Sequence, residues 1–163
     1  MGMKGIVSAL GMSTDGILAA GTFTRWVGLY DGYGRGGTRG VFETRGSEGA
    51  EKDKWAGTGI TQLCWSTCGR YLCVVERESD GIGVWDIRGS GTRLAWLQGR
   101  AGRTNQRLEV GIMGQEIWAG GTDGRVRVWE GLGMSEGDID PAWQFHAHNG
   151  ISSYSSYKFG SYH

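Results

Sequence analysis

The sequence predicts an all-β chain of short antiparallel strands joined by tight turns, and three observations point there. Glycine supplies 32 of 163 residues and proline only one, with no Gly-X-Y period, so turns abound and a collagen helix is excluded. Eight Trp and six Tyr carry too much apolar area to remain in water, which argues against disorder. A unit of alternating strands, closed by an aromatic residue and an acid, is written three times.

The clearest copy is Ile117 to Glu130. Ile117 to Gly120 alternates, and the turn Gly121-Thr122-Asp123-Gly124 follows, with Asp-Gly at its end. Val126, Val128 and Trp129 then alternate again before Glu130. Asp-Gly between alternating runs is a strong hairpin signal, because glycine takes positive φ without a steric cost.

The first copy opens with a strand over Gly5 to Leu10, turns at Ser13-Thr14-Asp15-Gly16, and continues with strands over Ile17 to Gly21 and Trp26 to Asp31. Its closing pair is Tyr30-Asp31. The second copy opens at Ile60 to Trp65 and turns at Ser66-Thr67-Cys68-Gly69. It continues over Tyr71 to Val75, turns at Ser79-Asp80-Gly81, and ends with a literal Trp-Asp at Trp85-Asp86. Leu94 to Leu97 reads as its outer strand. The third copy begins with a strand over Arg107 to Ile112 and has its outer strand at Trp143 to Phe145.

Aromatic-acid endings 44 residues apart, from Asp86 to Glu130, fit one four-stranded blade of a WD-type β-propeller. The spacing of 55 from Asp31 to Asp86 places about ten extra residues in Gly32 to Gly59. The expected architecture is three antiparallel blades, at about 5–45, 59–98 and 107–146, with the start of a fourth at 149–152. An irregular tail occupies 153–163. Propellers close with roughly 4–8 blades, so the repeats are expected to form a fragment of a ring, completed by missing blades or by partners.

Formal net charge is zero, which gives no whole-chain case for a nucleic-acid or acidic partner. Cys64, Cys68 and Cys73 are odd in number and come without a secretory leader, which suggests reduced thiols inside a cell. The N-terminal run is too short for a signal peptide or a membrane span. Ile6 stands where a myristoylation motif wants Ser or Thr.

Candidate chemistry is sparse. Gly32-Tyr33-Gly34-Arg35-Gly36-Gly37 spells GxGxxG, but a dinucleotide site needs a helix to follow, and Thr38 to Phe42 does not start one. The cysteines lack a fourth ligand for structural zinc, and His146 and His148 lack a third ligand, so no metal and no cofactor is expected. Asp80 and Asp123 are read as caps of their own turns' backbone donors, with Gly124 as the turn glycine. No nucleophile–base pair is legible, and the chain is expected to be non-enzymatic, with no small-molecule substrate. The most informative polar stretch holds Arg88, Arg93, Arg100, Arg103 and Arg107 with no acid among them. Five guanidiniums could grip phosphates, with Asn105 and Gln106 beside them for hydrogen bonds; a solvated loop explains the same composition.

Several segments occur in the order seen in the telomerase Cajal body protein family: Gly5-Ile-Val-Ser, Ala20-Gly-Thr-Phe, Gly28-Leu-Tyr, Gly59-Ile-Thr-Gln-Leu-Cys-Trp, Thr104-Asn-Gln-Arg, and Ala119-Gly-Gly-Thr-Asp-Gly-Arg-Val-Arg-Val-Trp. The chain resembles the central blades of that family from Gly5 to about Ser152, as a fungal relative. The resemblance implies a nuclear WD-repeat scaffold in a ribonucleoprotein assembly. It also implies partners among small nuclear or Cajal-body RNAs and their proteins, or a role in pre-mRNA splicing. Arg103, Thr104, Asn105, Gln106 and Arg107 become the RNA-binding candidates, near a rim shared with the Asp123 turn. The usual Gly-His dipeptide is missing from every copy, so other packing must replace its hydrogen-bond network. The competing reading is a protein-interaction propeller without RNA, anchored by rim aromatics such as Trp55 or Trp96.

Overall fold

The computed structural model describes residues 2–45, 57–89 and 91–147. The start of a fourth unit at 149–152, the tail at 153–163, Trp55 and His148 lie outside the described residues.

Strands form where the alternation places them. The first sheet takes β1 (Val7–Met12), β2 (Leu18–Thr22), β3 (Trp26–Tyr30) and β4 (Thr38–Glu43) in the order β1-β2-β3-β4. The second contains β5 (Ile60–Trp65), β6 (Tyr71–Glu76), β7 (Gly81–Asp86) and β8 (Arg93–Gln98). The third contains β9 (Val110–Met113), β10 (Glu116–Gly120), β11 (Arg125–Trp129) and β13 (Trp143–His146), ordered β13-β11-β10-β9. Neighbouring strands of these sets pair antiparallel, mostly across short turns, with a longer excursion between β11 and β13.

Two strand starts differ by more than one residue from the sequence expectation. β1 starts at Val7 rather than Gly5, since Gly5 takes a φ of 93° outside strand geometry. The third unit's inner strand starts at Val110 rather than Arg107, and Arg107 to Glu109 belong to the segment that enters the blade.

The second sheet also carries a fifth strand. β12 (Gly137–Ile139) leaves the third unit between β11 and β13 and pairs in parallel with β8, matching Gly137, Asp138 and Ile139 to Ala95, Trp96 and Leu97. The blade expected to have four strands thus borrows one from the next. Trp129 Nε1 donates to Ile139 O at 3.2 Å, and Gln98 Nε2 donates to Asp140 Oδ1 at 2.8 Å.

The cores lie between the sheets. Ala19, Val27 and Leu29 of the first sheet pack with Ile60, Leu72, Val74 and Trp85 of the second. Cys73, Val75, Ile82 and Val84 pack with Ile117, Ala119 and Trp129 of the third. Face-to-face burial of alternating residues is what a stack of blades offers. The innermost strands are stitched by side chains. Ser8 Oγ donates to Ile60 O at 2.6 Å, and Gln62 pairs reciprocally with the Val110 backbone at 2.7 and 2.8 Å.

The blade-ending aromatics have a common seat in two blades. An added Cβ on Gly83 would collide with the Trp85 ring, and one on Gly28 with the Tyr30 ring, so in each case the ring lies over a glycine two residues back. Trp85 and Trp129 are buried and Tyr30 is half-buried. The closing acids stay at the surface with local partners. Asp31 pairs with Arg39 at 3.2 Å, Asp86 with Arg88 at 2.6 Å, and Glu130 accepts from Trp143 Nε1 at 3.1 Å.

Candidate interaction site

The connection from β8 to β9, residues 99–109, runs across the strand ends where the β6–β7 and β10–β11 turns emerge. Asp80 anchors its first half. Asp80 O accepts from Arg100 N at 2.9 Å, Oδ1 from Gly102 N at 2.8 Å, and Oδ2 from Arg103 Nε at 2.6 Å. The expectation that Asp80 caps its own turn is therefore corrected. Ser79 does that instead, with Oγ bonded to Gly81 N at 3.2 Å and to Gly81 O at 3.1 Å. The serine occupies the local cap, so the carboxylate is left to reach the connection. Close approach makes Gly102 obligatory, because a Cβ there would collide with Ser79 O.

The second half of the anchor comes from the third blade. Ala101 O accepts from Thr122 N at 2.8 Å and from Thr122 Oγ1 at 3.1 Å. Arg127 Nη1 reaches Arg100 O at 3.4 Å and pairs with Asp123 through both nitrogens, at 3.0 and 2.5 Å. Asp123 also accepts from Arg125 N in its own turn at 3.2 Å, as the sequence suggests. The hydrogen bonds from Arg127 hold the Asp123 carboxyl below the usual range. Gly124 takes a φ of 73°, which favours glycine.

Beneath this rim lie buried cations. Arg100 is 2% exposed; it donates to Leu108 O at 2.8 Å, and burial lowers its pKa to about 10. At the first junction, Glu76 is buried and accepts from Arg25 Nε at 2.8 Å, Thr44 Oγ1 at 2.6 Å and Gly57 N at 2.8 Å. The Arg25–Glu76 pair thus links the first two blades, while Arg100 and Arg127 tie the next junction through backbone carbonyls.

The five-guanidinium stripe is divided by the fold. Arg88 chelates Asp86, Arg93 stacks on Trp96 with 4.4 Å to the ring centroid, Arg100 is buried, and Arg103 is held by Asp80. A single phosphate-gripping surface made of all five is thereby corrected. What the connection presents to solvent is Arg103, Asn105, Gln106 and Arg107, with Thr104 half-exposed. Gln106 N donates to Thr104 Oγ1 at 3.1 Å, which shapes the tip. Trp96, offered by the sequence as a rim aromatic, is instead 5% exposed beneath Arg93.

At the opposite strand ends, a cleft of about 340 Å³ lies between the first two blades, lined by residues that include Asp15, Asp31, Arg39, Cys68, Arg70 and Arg88. Its guanidiniums are largely matched by carboxylates. Gly32 to Gly37 forms a short 3-10 turn over Gly32–Gly34 and then enters β4, so no helix N-terminus faces it. Among the described residues no three His, Cys, Asp or Glu side chains converge on a metal, and the cysteines are free thiols. No helix among the described residues is long and apolar enough to cross a membrane.

No family model matches the chain. The guanine nucleotide-binding protein negative regulator 1 of Schizosaccharomyces pombe is 36% identical over 137 residues, which is 82% of this chain and 32% of that protein. The chain therefore spans about a third of the length of this curated relative. Among solved structures, U3-55K superposes with a TM-score of 0.67 at 13% identity, over 93% of this chain and 42% of its own. BamB from Moraxella catarrhalis gives 0.61 at 18% identity, over 87% and 38%. The computationally designed Ika8 protein gives 0.63 at 17% identity, over 94% and 40%. Identities this low speak for the fold alone. The chain carries WD-type repeats in three propeller blades that do not close a ring among the described residues.

Proposed function

We propose that the chain is the blade-bearing part of a non-enzymatic scaffold, and that it docks a partner protein through the rim formed by residues 103–107 and the Asp123 turn. The observation that carries this reading is the anchoring of the connection. Asp80, Thr122 and Arg127 fix its backbone, while Asn105, Gln106 and Arg107 remain exposed at its tip. Fixing a loop before binding reduces the ordering cost on association, which favours a recognition role over a spacer. The name of the fission yeast relative, a negative regulator of a guanine nucleotide-binding protein, supports a signalling protein as the partner. The test is binding of the purified chain to a guanine nucleotide-binding protein, loaded with GDP or with a GTP analogue. The triple substitution N105A/Q106A/R107A is expected to weaken binding about tenfold or more, with the melting temperature unchanged. Equal affinity of the triple variant and the unaltered chain would reject this rim.

The Thr104-Asn105-Gln106-Arg107 tip, exposed from Asn105 on, also favours a second reading, the nuclear RNA-protein scaffold implied by the family resemblance. Four of the five guanidiniums are already engaged, so phosphate contacts would be few. RNA affinity would then fall only shallowly with salt, with a slope near one or two for single strands. Photocrosslinking from position 106 separates the readings, since RNA adducts would favour this one and protein adducts the first.

A further inference from the structure

The molecule contains its own example of strand addition. β12 lies along the outer edge of β8, and the residues it covers, Ala95, Trp96 and Leu97, are 3%, 5% and 3% exposed. β4 is the corresponding strand of the first blade. Gly28 pairs with Val41 as Gly83 pairs with Trp96, and Val27 pairs with Phe42 as Ile82 pairs with Leu97. Both ladders shift register at the same place, between Leu29 and Tyr30 and between Val84 and Trp85. Yet β4 ends its sheet, no described strand covers it, and Gly40, Val41 and Phe42 are only half-buried.

We propose that the outer edge of β4 takes an extended peptide of a partner protein as a parallel strand, in the register that β12 adopts on β8. The residues on β4 define what it accepts. Opposite Gly40, Val41 and Phe42 the guest places a small, a polar and an aliphatic residue, as Gly137, Asp138 and Ile139 do on β8. After the aliphatic residue, Asp140 meets Gln98 on β8, whereas β4 presents the exposed carboxylate of Glu43 at that position, held only by a 3.7 Å surface pair with Arg45, so the guest carries a base that competes with it. Before the small residue, Glu136 lines one cleft with Arg93 and Leu94, and β4 presents Arg39 in place of Leu94; Arg39 is half-exposed beside Asp31 at 3.2 Å, and an acid in the guest would share its guanidinium. The recognised class is an extended segment reading acid, small, polar, aliphatic, base. Main-chain bonds supply the affinity and the alternate side chains the choice of guest. This surface is separate from the rim, and its failure would leave the rim proposal untouched.

The test uses the full chain, 15N-labelled, titrated with the peptide acetyl-Ser-Glu-Gly-Thr-Ile-Lys-Ala-amide. The expected result is shifts centred on the Thr38–Glu43 amides, with a spin label carried in place of the acetyl group broadening the Thr38 end. Two versions of the peptide, N-methylated at alternate sets of residues, distinguish strand addition from side-chain capture. One set should lose about tenfold in affinity while the other binds as the parent does. Glu43→Lys should weaken the parent peptide, and replacing the peptide Lys by Glu should restore binding. Shifts centred elsewhere, broadening at the Glu43 end, equal behaviour of the two methylated peptides, or no binding at millimolar concentration would each overturn the proposal.

Discussion

Replacing Asp80 by alanine removes one carboxylate but two kinds of interaction, and their magnitudes differ. The Oδ1 bond to Gly102 N, 2.8 Å long, is charge-assisted and partly buried, which is worth about 1.5–3 kcal/mol. The Oδ2 bond to Arg103, 2.6 Å long, joins a guanidinium that is 71% exposed; water and salt reduce such a pair to about 0–1 kcal/mol. Asp80→Ala should therefore cost about 2 kcal/mol and Arg103→Ala less than about 1 kcal/mol. Asp80→Asn keeps an acceptor for Gly102 and should fall between them. If the loss is confined to the connection, about 2 kcal/mol corresponds to roughly 30-fold faster exchange of the Gly102 amide. Expressed globally, it would lower the melting temperature by roughly 4–8 °C for a chain of this size. Native-state hydrogen exchange read at Gly102, with thermal unfolding alongside, measures both. Equal effects of Asp80→Ala and Arg103→Ala would refute the reasoning, because the surface ion pair would then carry the anchor.

Glu76→Ala leaves Arg25 without its buried carboxylate and strands Thr44 and Gly57, so urea unfolding should show a loss of about 3–5 kcal/mol. In the double variant Arg25→Met/Glu76→Leu much of that loss should be recovered, since a well-packed apolar pair often replaces a buried ion pair. Gly83→Ala pushes a methyl group into the Trp85 ring and should cost about 1–3 kcal/mol, whereas Gly37→Ala meets nothing within 4 Å and should be close to neutral. The thiols should separate in alkylation. Cys68 is exposed, and hydrogen bonds from Ser66 and the Arg70 backbone lower its pKa, so it should label first and at lower pH than a free cysteine. The half-buried Cys64, whose pKa burial raises to about 11, should label slowly in the native state, and the fully buried Cys73 only on unfolding, as counted by mass spectrometry in native and denaturing buffer.

The blades were readable because their signals are local. Alternation, the turn residues and the aromatic-acid endings together locate most strands to within a residue or two, and Ile60–Trp65 matches the expected span. The glycine under each aromatic in Gly28-x-Tyr30 and Gly83-x-Trp85 is a further local signal that was available in the sequence. What escaped the reading is non-local. Gly137-Asp138-Ile139 has neither alternation nor β-branched enrichment, and it becomes a strand only because the edge of β8 lies beside it. Asp123 holds the place of Ser79, each capping the amide two residues on, so Asp80 stands one residue later in its turn and bonds a segment more than 20 residues away. The arginines from 88 to 107 read as one positive stripe, and only tertiary placement shows that they serve separate partners.

The borrowed strand has a consequence for synthesis. The outer edge of β8 is complete as soon as residue 98 is made, but the strand that covers it ends at Ile139. Until about forty further residues have emerged from the ribosome, the second blade presents an open edge of Arg93-Leu-Ala-Trp-Leu-Gln98 to any neighbouring nascent chain. Coverage of the second blade is thus timed by translation of the third, and a ribosome stalled between these points would display a sticky intermediate that the finished molecule conceals.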